Sequence, residues 1–399
     1  MLTLPRPRLL SVVSLFFLAA ILACGVAAAS ASARPAVPQG FVGVDTDGPL
    51  FGPDTPVNFN NQISSMVANG VQSIRVAFDW SVAQPYQSWS EVPTDQRDEF
   101  TDTGGAPTDF QFTDQVVAAA AKRRISVLPT VMYVPSWDAR VTKGVHYPTP
   151  LNDAPYGAYL SALVGRYGPN GSFWRENPGI PKTPIRQWQI WNEPNTFWDW
   201  PQPFARSYVA LLRSAHAAIK RADPGAKVVL AALTNVTWRS WGQIQKIKGS
   251  SKLYDIVSVN SFTKYPSDVI LAYRLMRRAM DRARVHKPLL ATEVSWPSAL
   301  HRTSQHFDWD TTEAGQASKI SQLLPLLAKN RRSLNLAGFD YYTWMGDEDS
   351  GSGAFDYAGL LAFHGGHVIV KPALGAFRKG ALALEHCKRK GATATSCIK

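Results

Sequence analysis

The sequence predicts an α/β fold, a single (β/α)8 TIM barrel with extended loops after its strands, over residues 34–399. Three observations lead there. Eight short β-branched or aromatic runs alternate with longer amphipathic segments, the order expected of a parallel sheet wrapped by helices. The runs carry no glycine fingerprint of a dinucleotide-binding sheet, and no strand-order reversal can be located where a doubly wound sheet would bind its ligand. The length of 399 residues with 45% hydrophobic content suffices for a large core, and such a barrel takes this length as one domain.

Residues 1–33 are set aside first. Arg6 and Arg8 make a short basic start, 9–29 is apolar, and Ala31-Ser32-Ala33 is a small-x-small cleavage site. This reads as a secretory signal peptide, giving a secreted, extracellular protein with no stable membrane insertion. The competing reading is an uncleaved anchor, since the apolar run could just span a bilayer. Cys24 follows Leu22-Ala23, a poor fit to a lipidation site. The strands then fall at 41–45, 73–79, 126–133, 186–191, 227–232, 256–260, 289–293 and 337–342. Amphipathic helices fall between them at 114–123, 154–167, 205–221, 267–284 and 313–329. The pattern at 240–248 is weak, the helix after the first strand is short, and 373–384 supplies the eighth. The loop 84–109, rich in Pro, Asp and Gly, is long enough to fold over the barrel mouth. No linker or low-complexity stretch marks a second domain.

The formal net charge is +12; removing Arg6 and Arg8 leaves 12 − 2 = +10. Lys and Arg are spread along the chain. Their densest cluster, Arg274, Arg277, Arg278, Arg282 and Arg284, has helical spacing and reads as a solvated helix face. Nucleic acid is therefore not expected as a partner, while attraction to an anionic cell wall or polysaccharide stays open. Beyond the leader only Cys387 and Cys397 remain, and in an oxidising compartment they are expected to pair and staple the tail. No His/Cys cluster at ligand spacing accompanies them, so no metal is expected. A monomer is favoured.

The chemistry concentrates at two strand ends. The fourth strand closes on Trp191-Asn192-Glu193-Pro194. One hundred residues on, Pro288-Leu289-Leu290-Ala291-Thr292-Glu293 ends the same way and is followed by Val294-Ser295-Trp296. Barrel active sites sit at the C-terminal strand ends. Two carboxyls facing across such a mouth suit cleavage of a sugar linkage, which needs one protonated acid, one ionised carboxylate and no cofactor. Either glutamate alone could be a strand-end residue in a salt bridge, and Arg75 could pair with Asp79 or another core acid. Trp80, Trp137, Trp191, Trp198, Trp200, Trp296 and Trp344 fall at strand ends or in the loops beyond, where flat rings suit sugar faces. Aromatics also fill cores, the reading preferred for Trp188. His301, His306 and the run Asp347-Glu348-Asp349 either line the cleft or belong to solvated loops.

These motifs resemble the retaining (β/α)8 glycosidases of glycoside hydrolase clan A. Ile74-Arg75-Val76-Ala77-Phe78-Asp79-Trp80, and Val127-Leu128-Pro129-Thr130 followed by Val134-Pro135-Ser136-Trp137, look most like family 39 and its cellulase-like and exopolysaccharide-cleaving relatives, over residues 41–344. The resemblance implies Glu193 as acid/base, Glu293 as nucleophile, Asn192 as the amide that binds the sugar 2-hydroxyl, and Arg75 as the arginine that steadies the nucleophile. It implies Trp344 as the floor under the cleaved sugar. Trp80, Trp137, Trp198, Trp296 and Tyr265 complete the candidate substrate contacts. Glu193, flanked by Trp191 and Pro194, is expected to be the desolvated acid with the raised pKa, and Glu293, near Arg75, the anion. One departure stands out. Clan members often carry His-x-Tyr at the end of strand six, where this chain reads Asn260-Ser261-Phe262; Tyr265 or Tyr342 would have to replace the missing hydroxyl.

The leading reading is a secreted retaining glycoside hydrolase, endo-acting on a β-linked polysaccharide. Two alternatives stay open: an exo-acting β-xylosidase-like enzyme, and a non-catalytic barrel that binds carbohydrate or cell wall. Sugar identity would be set by the loops 84–109, 137–150, 198–203 and 296–312.

Overall fold

The computed structural model describes residues 36–51, 55–351 and 353–399. The expected signal segment, with Cys24, lies outside the described residues. Eight parallel strands are arranged as the sequence pattern requires: β1 (Val42–Thr46), β2 (Ser73–Asp79), β3 (Ser126–Met132), β4 (Gln187–Ile190), β5 (Lys227–Val229), β6 (Val257–Asn260), β7 (Leu289–Val294) and β8 (Leu336–Tyr341). Their order is β6-β7-β8-β1-β2-β3-β4-β5. Single parallel bridges, Val229 to Ile256 and Leu233 to Val259, join β5 to β6 and close the cylinder. This closure explains why β5 has a regular ladder only to Val229, short of the expected 232. The residues beyond it are shared between two neighbours by isolated hydrogen bonds, such as Leu230 N to Ile256 O at 2.9 Å.

Each strand is followed by its helix: α1 (Phe59–Ala68), α2 (Gln111–Lys122), α3 (Asp153–Tyr167), α4 (Ala205–Ala222), α5 (Thr237–Gln245), α6 (Pro266–Arg282), α7 (Glu313–Leu334) and α8 (Pro372–Leu384). The reasons are local. Asn58 caps α1 by accepting from Asn61 N, and Thr312 caps α7 by accepting from Gly315 N. Helix α7 runs past the expected end at 329, through Pro325, and stops at Asn335 with φ 49°. An asparagine tolerates that left-handed conformation and ends the helix. Helix α4 buries Tyr208, Leu211, Leu212, Ala215 and Ile219 on one face. The Tyr208 hydroxyl ties that face to the barrel, donating to Ile190 O at 3.0 Å and accepting from Ala231 N at 2.7 Å.

The strands are largely buried. β1 and β7 are buried over their whole length. At Gly43 a Cβ would lie 2.0 Å from Asp340 Oδ1 and 2.2 Å from Ser73 Oγ, so only glycine leaves room for that polar contact in the barrel interior. Of the arginine cluster on α6, Arg274, Arg278, Arg282 and Arg284 are exposed as expected. Arg277 is instead buried and ties down the α6–β7 connection by donating to Val285 O and Lys287 O. Cys387 and Cys397 form a disulfide with Cα atoms 5.5 Å apart. The tail it closes is fastened beneath the barrel by Ala394 N donating to Arg123 O. No helix among the described residues is long and apolar enough to cross a membrane.

Candidate active site

Both motif glutamates stand at the C-terminal mouth, aimed there by irregular backbone. β4 ends at Ile190, and both Trp191 (φ 69°) and Glu193 (φ 42°) lie in the left-handed region. Such conformations cost of order 1–3 kcal/mol each outside glycine and cluster where a side chain must be aimed. Here the turn is held by Glu193 N donating to Ala232 O (2.9 Å) and Thr196 N donating to Glu193 O (3.0 Å). On β7 the register against β6 slips between Val259 and Asn260, which sets Asn260 opposite Glu293.

Arg75, on β2, organises the floor of the mouth. Its Nη1 donates to Asp45 Oδ1 at 2.6 Å and Glu293 Oε1 at 2.7 Å, its Nε to Gln189 Oε1 at 3.0 Å, and its Nη2 to Asn192 Oδ1 at 2.9 Å. Asp45 is its cross-strand neighbour in the β1–β2 register. Asp79, the alternative partner weighed from sequence, is engaged elsewhere: its carboxylate accepts from Ser81 N and Val82 N and caps the short helix Trp80–Ala83. Glu193 forms no ion pair among the described residues. Its Oε1 accepts from Asn260 Nδ2 at 2.7 Å, and Asn260 is fixed in turn by Thr292 Oγ1 donating to its Oδ1 at 2.9 Å.

The electrostatics follow from this asymmetry. Burial pushes the Glu193 carboxyl up to about 8, the neighbouring Glu293 charge adds to the rise, and the Asn260 hydrogen bond opposes it. For Glu293 burial also raises the pKa, and the Arg75 charge and hydrogen bond oppose that rise without cancelling it. Glu193 is thus the proton-holding member of the pair and Glu293 the member stabilised as an anion. Asp340, at 3.4 Å from Ser73 Oγ, is raised by burial to about 7. Asp47 is raised by burial and bonded by Thr343 and Tyr342, and its charge reaches Glu293.

The structure brings Arg75, Asn192, Glu193 and Glu293 together and scatters the aromatic candidates. Trp80, Trp296 and Trp344 are wholly buried. Trp80 packs against Trp137, Tyr156 and Tyr159 and donates to Gln84 Oε1, and Trp344 donates to Gln62 Oε1. Their rings present no face to solvent, because each was absorbed into the packing between barrel and loops. Trp200 is likewise buried, edge-on to Trp191 at 5.1 Å, and Trp188 is core as expected. Trp137 is partly exposed and anchored by Nε1 to Gln84 O at 2.8 Å. Trp198 is 41% exposed beside Phe197 at 63%, their rings 4.3 Å apart. Tyr265 is 55% exposed at the start of α6 beneath Lys264, and the structure gives it no bond to Glu293. Phe262 joins an aromatic cluster with Trp309, Tyr342 and Phe355. The Tyr342 hydroxyl is bonded to Asp47, and its phenol also lies within the Glu293 field. Asp45, Gln189 and Asn260 were not anticipated. The available signal was a polar residue at an inward strand position.

A cavity of about 1090 Å³ opens over the ends of β1–β3, lined by Asp47, Asp79, Phe51, Phe59, Phe112 and Tyr133 among others. Tyr133, with φ 63°, stands at its edge with its ring 5.1 Å from Tyr147. The Tyr147 loop is joined to the next one by His146 N donating to Trp198 O at 2.5 Å.

No family model matches this chain, and no curated protein does. Among solved structures it is similar to a family 39 β-xylosidase from Caulobacter crescentus, at 18% identity and TM-score 0.58, over 88% of this chain and 72% of that one. It is also similar to a glucosidase from Croceicoccus marinus (16% identity, TM-score 0.63, 88% of this chain and 68% of that one). A third is the family 53 catalytic domain from Ignisphaera aggregans (19% identity, TM-score 0.55, 85% and 96%). At this identity the likeness speaks for the fold: the barrel expected from the strand motifs is the barrel of these glycosidases.

Proposed function

We propose that this protein is a retaining glycoside hydrolase that cleaves within a β-linked polysaccharide. The observation that carries this reading is the unequal treatment of two buried carboxyls at one barrel mouth, one on an arginine and one on an amide. With its pKa pushed up to about 8, Glu193 holds its proton near neutral pH, while the Arg75 guanidinium favours the anionic form of Glu293. Glu193 then protonates the glycosidic oxygen as that bond breaks, while Glu293 attacks the anomeric carbon and forms a glycosyl ester. Esterification removes the negative charge of Glu293, which lowers the Glu193 pKa and makes it the base for an incoming water. Water attack releases the sugar and returns the proton to Glu193. Asn192 Oδ1 is occupied by Arg75 and, at 3.4 Å, by Asn260, which leaves its amide N–H groups to the sugar 2-hydroxyl.

Endo-action is supported by a cavity on one side of the mouth and exposed rings on the other. The cavity beside Asp47, about 1090 Å³, slightly exceeds the roughly 300–1,000 Å³ of ordinary ligand sites. The exposed rings of Phe197 and Trp198 stand just past the acid/base residue. The leader-like residues 1–33 support export to a site where such a polymer is met. The test is reducing-sugar release from β-glucans, xylans, mannans, galactans, arabinans and bacterial exopolysaccharides, with wild type run beside Glu193→Gln and Glu293→Gln. Release from one polymer, lost in both variants, is the expected result. Equal release from all three proteins would remove these glutamates from the mechanism. Silence on every polymer with retained binding would favour a non-catalytic carbohydrate-binding barrel.

A further inference from the structure

We propose that the face of the barrel opposite the candidate active site is a docking surface for an acidic, carboxylate-bearing polysaccharide. The choice of a polysaccharide among polyanions rests on the glycosidase reading above; the docking itself does not. All eight strands are parallel, so the connections that lead into them lie together at one end. Those connections are basic one after another. Exposed cations precede β3 (Arg124), β4 (Lys182), β5 (Lys227, its first residue), β6 (Lys248), β7 (Arg284) and β8 (Arg332). None of these six forms an ion pair among the described residues. The tail stapled by Cys387–Cys397 adds exposed Lys388 and Arg389 at the same end, where Ala394 N is bonded to Arg123 O.

The acids at this end are already matched. Asp223 is paired with Arg186, Asp255 with Lys220, Asp281 with Arg277 and Glu385 with Lys390. The opposite end carries the acidic runs instead: Asp95, Asp98 and Glu99 in the loop after β2, and Asp347-Glu348-Asp349 after β8, of which Glu348 is paired with Arg302 and Lys371. The positive charge of the described residues is therefore not spread evenly but turned toward the face away from the catalytic mouth. Neighbouring cations there reinforce one another within a screening length of about 8 Å at physiological salt.

The character of the face selects among polyanions. Its large side chains are charged: the exposed aromatics, Tyr147, Phe197, Trp198 and Tyr265, all lie in loops at the other end. Apart from the imidazoles of His286 and His386, exposed rings on which nucleic-acid bases could stack are missing from the described residues of the basic face. Insertion into a lipid surface wants an apolar edge, and Ile398 alone is a meagre one. A diffuse field of Lys and Arg without a pocket fits a flexible, repeating carboxylate polymer, bound while the catalytic mouth points outward.

The experiment measures binding of the full chain to immobilised polygalacturonate between 20 mM and 500 mM salt, as wild type and as Glu293→Gln. Two triple variants remove the same net charge: Lys227→Gln/Lys248→Gln/Arg332→Gln on the basic face, and Arg97→Gln/Arg140→Gln/Lys143→Gln at the catalytic end. Expected are salt-sensitive binding that is equal for wild type and Glu293→Gln, at least a tenfold loss in the first triple variant, and less than a twofold loss in the second. Thermal melting of both triples should match wild type. Equal losses in the two triples would reduce the effect to net charge and overturn the proposal, as would absence of binding at 20 mM salt. Tighter binding to duplex DNA or to anionic phospholipid vesicles than to polygalacturonate would overturn the choice of partner. Silence in the sugar-release panel alongside the tenfold difference would sink the glycosidase reading and leave the docking face standing.

Discussion

Arg75 Nη1 reaches Glu293 Oε1 at 2.7 Å from a strand three places away around the barrel, and the same nitrogen holds Asp45 Oδ1 at 2.6 Å. One cation therefore bonds two buried carboxyls, that of Asp45 pushed well above the usual carboxylate range by burial, with Gln189 and Asn192 occupying its remaining edge. Replacing it by Arg75→Met leaves both acids buried without a counter-charge. Breaking a buried pair this way costs about 3–5 kcal/mol. Urea unfolding at pH 7 should show that loss, and at pH 5 a smaller one as the carboxyls take up protons. Arg75→Lys should also lose activity, because an ammonium cannot span the four acceptors of the planar guanidinium. An unchanged unfolding midpoint in Arg75→Met would mean that the pair is not formed in solution.

Asn260 sets the acid/base residue. Its hydrogen bond favours the ionised form of Glu193 and so lowers a pKa that burial and the Glu293 charge raise to about 8. Asn260→Ala removes the opposing influence, so the pKa moves further up. Because the acid must be protonated to donate, the alkaline limb of the kcat/KM profile should shift to higher pH. The limbs report the coupled pair rather than either carboxyl alone. kcat should fall about 10- to 100-fold as the carboxyl loses its orientation. A profile unmoved on its alkaline side would remove Asn260 from this role.

Asp340 links the same interior to stability. Its pKa is raised by burial from the ordinary 3.8 to about 7, so the folded chain holds a proton there that the unfolded chain has released. Between about pH 4 and pH 7 the folded state binds more protons, and stability must fall as pH rises through this window. The slope from one such group is at most about 1.4 kcal/mol per pH unit. Asp340→Asn should flatten melting temperature against pH in that range. An identical slope in the variant would place the proton on another group.

The exposed ring pair Phe197–Trp198 offers a separate handle on substrate length. Trp198→Ala should raise KM for the cleaved polymer about tenfold and leave kcat/KM on a small aryl glycoside within twofold. Stacking on one such ring contributes about 0.5–1.5 kcal/mol. Equal effects on both substrates would locate the ring at the cleaved sugar itself.

What the sequence by itself determined was local. Hydrophobic periodicity and turn residues located eight strands and their helices to within a few residues, because strand and helix periods are properties of neighbours along the chain. The same locality set Glu193 and Glu293 at strand tips. Pairing across the barrel was beyond it. Arg75 meets Asp45 rather than Asp79 because β1 and β2 align Asp45 beside Arg75, while the Asp79 carboxylate turns back to cap a helix. Asn260 reaches Glu193 only through the register slip between β6 and β7. The tryptophans divide on the same ground. Trp80, Trp296 and Trp344 stand at the strand ends expected of sugar contacts, yet packing encloses them, while Trp137 stays partly open and the loop ring of Trp198 is exposed. Burial is decided by what folds over a residue, and that neighbour lies tens or hundreds of positions away in the chain. The charge polarity is likewise a tertiary fact: dispersed Lys and Arg become one basic face only when parallel strands gather their connections at one end.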